Sequence, residues 1–145
     1  MQISGEICKT SGVTKDKKVG GYFMSTPLDL VKDRIKKLES EELKGPLAAH
    51  IQHVGDVAPE MFEAYNQWRE LVLKDSALPR KVKLLIVVGI MTVLRAEDAL
   101  TLYSQIALNA GASKEELLDA MSVGILFSGG PSIVAMATAL KNLEI

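Results

Sequence analysis

Ala107-Leu108-Asn109-Ala110-Gly111-Ala112-Ser113-Lys114-Glu115-Glu116-Leu117 places a helix stop and a helix start within a few residues of each other. Gly111 suits the left-handed residue that ends a helix, since it has no Cβ to clash there. Ser113 and Glu116 have the spacing of a capping box, in which the serine oxygen accepts the third amide and the glutamate reaches back. The segment therefore predicts a helix on each side. Upstream, Glu97 to Asn109 reads as the fifth helix of the chain. Downstream, a sixth begins at the capping box, and Gly129-Gly130-Pro131 separates it from a seventh that ends near Lys141. Gly129-Gly130 lacks the preceding strand that a phosphate loop requires and reads as a turn.

Further towards the N-terminus, a fourth helix starts at Leu78-Pro79 and contains the longest apolar run, Leu84 to Leu94. That run is well short of the roughly 20 residues a bilayer span needs, and it is interrupted by Gly89 and Thr92. Its all-round hydrophobicity predicts burial by neighbours on several sides. A third helix runs from Pro59 to about Lys74, with Met61, Phe62, Tyr65, Trp68, Leu71 and Val72 on a common side; Tyr65 and Trp68 read as core. A second covers Leu47 to Val54, between the break at Gly45-Pro46 and a stop at Gly55-Asp56. The first opens at Ser25-Thr26-Pro27, a hydroxyl cap with proline in the first turn and Asp29 nearby, and has an apolar stripe of Leu28, Val31, Ile35 and Leu38. No alternating strand pattern is present, so the fold class is all-α, with six to seven helices.

Residues 1–24 read as an N-terminal arm ahead of a helical domain over residues 25–145. Residues 1–23 contain four glycines and four lysines and no sustained period. Met24 is a candidate biological start, which intact-mass analysis of the native protein tests. With 145 residues and 48% hydrophobic content the chain is long enough for one cored domain. A single cysteine, Cys8, rules out an intramolecular disulfide and suits a reducing compartment. A net charge of -1 gives no electrostatic reason to expect nucleic acid or a membrane surface as partner. Cytoplasmic location is the expectation, because Met1 to Phe23 has no continuous apolar segment. The sixth and seventh helices carry more apolar residues than one layer hides, which predicts self-association.

Four segments in order resemble the carboxymuconolactone decarboxylase and alkylhydroperoxidase D family: Leu78-Pro79-Arg80-Lys81-Val82-Lys83-Leu84-Leu85-Ile86, Arg95-Ala96-Glu97-Asp98-Ala99-Leu100-Thr101-Leu102-Tyr103, Ala107 to Leu117, and Gly129-Gly130-Pro131. The resemblance runs from about Gly55 to the C-terminus. It implies an all-α fold and assembly into trimers or hexamers. In the peroxidase branch the pattern is a glutamate, a C-x-x-C pair and a histidine; those positions here are Leu84, Ala96, Ala99 and Tyr103. Alanine neither attacks a peroxide nor resolves a sulfenic acid, so dithiol peroxidase activity is predicted absent. The decarboxylase branch is matched at Pro79-Arg80 and Glu97-Asp98. Its arginine is replaced by Ala96, with Arg95 one position early, and its histidine by Tyr103. The activity implied is cofactor-free decarboxylation, or related lyase or isomerase chemistry, on a small carboxylated lactone. A non-catalytic oligomer that binds a small molecule is the alternative.

Candidate site residues follow from chemistry beside this resemblance. Tyr103 lies one turn past Ala99, and its phenol either donates a hydrogen bond to a carbonyl oxygen that gains charge or is a core aromatic tied to backbone. His50 and His53 share a helix face and could hold a metal with Glu60 or Glu63, although no three-ligand set is visible and no metal is expected. His53 is instead the candidate acid/base group, with Glu97 as an alternative. Glu97 and Asp98 also suit a helix N-terminus with no catalytic purpose. Arg80 and Arg95 are candidate carboxylate anchors, and Leu84, Ala96 and Ala99 a candidate apolar floor that keeps water off the leaving carboxylate.

Overall fold

The computed structural model describes residues 26–145, so the predicted arm, Cys8 and Met24 lie outside the described residues. Among the described residues there are seven α-helices, α1 (Pro27–Lys37), α2 (Ala49–Val57), α3 (Pro59–Leu73), α4 (Arg80–Leu94), α5 (Glu97–Asn109), α6 (Lys114–Ser128) and α7 (Pro131–Asn142), and a π-helical segment, Leu38–Leu43. No strand is present among them, which establishes the all-α class. Among the described residues no helix is long and apolar enough to cross a membrane.

The expected caps form. The Asp29 amide donates to the Thr26 hydroxyl at 3.2 Å and the Thr26 amide to the Asp29 carboxylate at 3.1 Å, with Pro27 in the first turn. At α6 the Glu116 amide donates to the Ser113 hydroxyl at 3.1 Å and Glu116 accepts from the Ser113 amide at 2.9 Å. Gly111 takes φ +90°, as the stop requires.

Three expectations about α1 to α3 change. First, α1 passes directly into the π-helical segment, and Lys44, left-handed at φ 53°, ends it just ahead of Gly45-Pro46. The wider turn brings Leu38 and Leu43 into the core together, although five residues on an α-helix would set them about 140° apart. Second, Gly55 does not stop α2. It is buried inside the helix, and a Cβ there would lie 2.7 Å from Val31 Cγ1, so the glycine permits α1 and α2 to touch. Third, α3 turns its other face inward. Phe62, Asn66, Arg69 and Leu73 are buried, whereas Met61, Tyr65, Trp68, Leu71 and Val72 are exposed. Arg34 on α1 holds this orientation by pairing with Glu63 and Glu70 on α3, and Lys83 on α4 caps its end by donating to Val72 O, Lys74 O and Ser76 Oγ at 2.7 to 2.8 Å.

The core gathers where α4 and α5 pack with α6 and α7: Leu84, Val88, Leu100, Leu117 and Met121 are fully enclosed. The α4–α6 crossing is backbone-tight. A Cβ on Gly124 would meet Gly89 O at 2.7 Å and Thr92 Cβ at 2.9 Å, and one on Gly89 would meet Ala120 O at 3.2 Å. Contrary to the expected all-round burial, α4 leaves Ile86, Ile90 and Val93 exposed, continuous with Val123 and Phe127 on α6.

Two measurements follow. Gly124→Ala forces the crossing apart and should cost about 1–3 kcal/mol in chemical denaturation, whereas Gly45→Ala, with nothing within 4 Å of the added Cβ, should be near neutral. The Arg34 guanidinium beside Glu63 holds its carboxyl below the ordinary value of 4.5. The stability it contributes is complete above that unfolded value and is lost as pH falls through the lower folded one. Glu63→Gln should therefore be less stable at neutral pH and show a shallower loss of stability on acidification than the parent chain.

Candidate active site

Facing inward on α3, Arg69 needs partners, since a buried guanidinium without them is strongly disfavoured. It is 8% exposed. Glu42 of the π-helical segment supplies the first, with Nη2 to Oε2 at 2.7 Å and Nη1 to Oε1 at 3.5 Å. Tyr103 on α5 supplies the second: Arg69 Nε donates to its hydroxyl at 3.2 Å, and the guanidinium carbon lies 5.5 Å from the ring centroid. Arg80, at the start of α4, also forms an ion pair with Glu42, with Nη2 3.1 Å from Oε2. Asn109 Nδ2 donates to Glu42 O and Leu43 O at 2.8 and 2.9 Å, fixing the π-helical segment on α5. Burial by itself lowers the Arg69 pKa, but the bonds to Glu42 and Tyr103 outweigh it and the net shift is upward, so the group stays charged.

Arg69 and Tyr103 stand at one end of a cleft of about 410 Å³ between α3, α4 and α5, whose other walls are Tyr65, Trp68, Val72, Leu73, Val87, Met91 and Ala99. Behind them is a second hollow of about 230 Å³, which shares Tyr65, Arg69, Ala99 and Tyr103 with the cleft and reaches Asn66 and Ile51. The polar groups of the cleft are the Arg69 guanidinium, the Tyr103 and Tyr65 hydroxyls and the Trp68 indole N–H, and the rest of its wall is apolar. Because the Tyr103 oxygen accepts from Arg69, its own hydrogen remains free to donate. Burial, and then the neighbouring Tyr103 phenol, push the Tyr65 hydroxyl above its ordinary value, so Tyr65 keeps its proton at neutral pH.

Of the residues singled out from sequence, Tyr103 and Ala99 are in this cleft. Ala96 and Glu97, with Asp98 and His50, line a separate hollow of about 350 Å³ at the start of α5, which touches the cleft only through Ala99. Glu97 and Tyr103 therefore do not share a cavity. His53 is exposed on α2, while it is His50 that borders that hollow. Arg95 is the left-handed residue closing α4, at φ 57°, and is exposed. Arg80 is held by Glu42 and reaches the cleft's polar end only through it. Leu84 is fully enclosed in the core and does not floor a cavity wall here. Glu63 is engaged by Arg34, and among the described residues no group of three or more His, Cys, Asp or Glu comes together as a metal site.

Sequence reasoning missed Arg69 and Glu42, and it put Tyr65 and Trp68 in the core. A signal for Arg69 was available: with Phe62, Asn66 and Leu73 it makes a complete helical face, the alternative to the more apolar one. Nothing in the sequence pointed to Glu42.

Comparison with known proteins agrees with this architecture. A protein of Cupriavidus necator with no assigned function is 26% identical over 91 residues, which span 63% of this chain and 80% of that protein. The crystal structure of a candidate carboxymuconolactone decarboxylase from Burkholderia xenovorans LB400 superposes with a TM-score of 0.66 at 28% identity, covering 82% of this chain and 95% of that one. The sequence model of the carboxymuconolactone decarboxylase family matches residues 59–142, from the first turn of α3 to the last residue of α7. The chain thus belongs to the carboxymuconolactone decarboxylase family.

Proposed function

We propose that the α3–α4–α5 cleft carries out cofactor-free decarboxylation, or the related lyase or isomerase chemistry, on a small carboxylated lactone. The observation that carries this reading is the buried Arg69 donating to Tyr103 at the polar end of an otherwise apolar cleft. In such a reaction the bond between ring carbon and carboxylate breaks, carbon dioxide leaves, and the electron pair moves into the lactone carbonyl to give a dienolate. The substrate is its own electron sink. Tyr103, held by Arg69, donates to the oxygen where that charge collects. Val72, Val87, Met91 and Ala99 face the carboxylate that leaves, where exclusion of water favours its loss. The proton returned to carbon comes from a phenol, Tyr65 or Tyr103, which regains it from water, in place of the His53 or Glu97 expected from sequence, since neither of those lines the cleft. Arg69 replaces Arg80 and Arg95 as the cation in contact with substrate.

The proposal includes self-association, supported by the apolar strip of Ile86, Ile90, Val93, Val123 and Phe127, the last 81% exposed. A second reading is a non-catalytic oligomer that binds a small molecule. Leu84, Ala96 and Ala99 at the positions of the peroxidase glutamate and cysteines favour it, because those three side chains are unreactive.

Incubation with γ-carboxymuconolactone should release carbon dioxide with a change in ultraviolet absorbance, and Tyr103→Phe should lower turnover by about 100-fold or more, the usual cost of one preorganised donor. Turnover unchanged in that variant would remove Tyr103 from the chemistry. Absence of turnover with this and related carboxylated lactones, together with a metabolite that leaves the protein chemically unchanged, would establish the binding reading.

A further inference from the structure

We infer that the hollow behind Arg69 and Tyr103 is a subsite for an uncharged hydrocarbon substituent on the ring that the cleft binds, an alkyl or aryl group that enters past Ala99. This rests on the reading of the cleft as a lactone site and adds the part of the ligand that lies beyond it. The hollow, of about 230 Å³, is walled by Leu38, Leu43, Leu47, Ile51, Phe62 and Ile106, all of them buried except the half-buried Ile51. Its polar side chains are Tyr65, Asn66, Arg69 and Tyr103, and three of these, Tyr65, Arg69 and Tyr103, stand at the border and also line the cleft. Asn66 belongs to the hollow alone, and its Nδ2 donates to Phe62 O of its own helix at 2.8 Å. The Arg69 charge is already answered by Glu42 at 2.7 Å. A charged substituent would exchange water for hydrocarbon and one amide, which is strongly unfavourable, whereas a hydrocarbon group gains by leaving water.

Ala99 sets the way in. Of the four residues shared by cleft and hollow, three have large side chains and Ala99 contributes a methyl group. It stands one turn before Tyr103 on the same face of α5, about 6 Å away, so a lactone whose carbonyl accepts from Tyr103 has its ring within reach of the opening. Val72, Val87 and Met91 line the cleft and not the hollow, and they remain as the apolar wall for the carboxylate that leaves. γ-Carboxymuconolactone has no hydrocarbon tail. It keeps both carboxylates on the cleft side, which opens to water at Trp68, 61% exposed, and leaves the hollow unfilled. The fuller substrate class is a carboxylated lactone that also bears an alkyl or aryl group. Because an enclosed apolar cavity of about 150 Å³ holds a benzene ring, the group that fits has about six carbons.

Trp68 is the sole tryptophan of the chain and lines the cleft, so its emission reports binding there. γ-Hexalactone, γ-octalactone, γ-decalactone and γ-dodecalactone present the same lactone carbonyl with alkyl tails of increasing length. Affinity should rise about threefold per methylene, as one CH₂ after another leaves water, and level off beyond the six-carbon tail of γ-decalactone. Ala99→Leu, which narrows the passage, should flatten that rise so that long and short tails bind alike. Ile51→Phe, which fills the hollow from α2 and does not line the cleft, should do the same, and thermal unfolding identifies which variants are folded. Affinity that does not grow with the tail, growth that continues undiminished to γ-dodecalactone, growth unchanged in a folded variant, or no saturable change with any of these lactones would each overturn the inference. Tail-dependent binding without turnover of any carboxylated lactone defeats the catalytic reading alone; turnover of γ-carboxymuconolactone with affinity independent of the tail defeats this inference alone.

Discussion

The ion pair between Arg69 and Glu42 ties together more of this molecule than any other polar contact. Glu42 belongs to a π-helical segment that joins α1 to the rest of the chain, Arg69 to α3, and the groups they bond in turn belong to α4 through Arg80 and to α5 through Tyr103 and Asn109. A buried pair of this kind is seldom the most stable way to fill its volume, since apolar residues of similar size often serve equally well. Its effect here is orientation. With Arg69 Nε on the Tyr103 oxygen, the phenol is fixed as a donor, and the direction of its hydrogen is decided by α3 and the π-helical segment as much as by α5.

The π-helical segment exists to satisfy two demands that an α-helix cannot meet together. Leu38 and Leu43 have to enter the core, and Glu42 has to reach Arg69. An extra residue in the turn reconciles them, consistent with the tendency of such segments to occur beside functional groups. Elsewhere glycines admit close neighbours: Gly55 on α2 makes room for the Val31 side chain of α1, and Gly89 and Gly124 let the backbones of α4 and α6 approach each other.

What could be read from sequence divides according to the range of the interaction. Thr26-Asp29, Ser113-Glu116 and Gly111 act within a few residues, and each appears as expected. Tyr103 and Ala99 could be placed because the family pattern selects their positions. Gly55 was ambiguous, since a glycine that ends a helix and one that admits a neighbour look alike until the neighbour, Val31, is known. For α3 the more apolar face was the wrong one to bury. Its exposed aromatics belong to a cleft, and its polar Asn66 and Arg69 go inside because Phe62 O and Glu42 wait there to pair with them. Arg69 and Glu42 are 27 residues apart, and Arg69 and Tyr103 are 34 apart; no local pattern announces contacts of that separation.

The glycine crossing of α4 and α6 also bears on how the molecule moves. Where Gly124 meets Gly89 O and Thr92 the two helices approach with no room for a further side chain, which resists sliding of α4 on α6, and α5 is packed onto the pair through Leu100 and Ile106. The third wall of the cleft, α3, is attached differently. Its C-terminal end is clasped by the flexible Lys83 side chain, and its middle by ion pairs to α1 and Glu42. Any displacement of α3 away from α5 stretches the bond from Arg69 to Tyr103, so a wider mouth comes with a looser donor at its base.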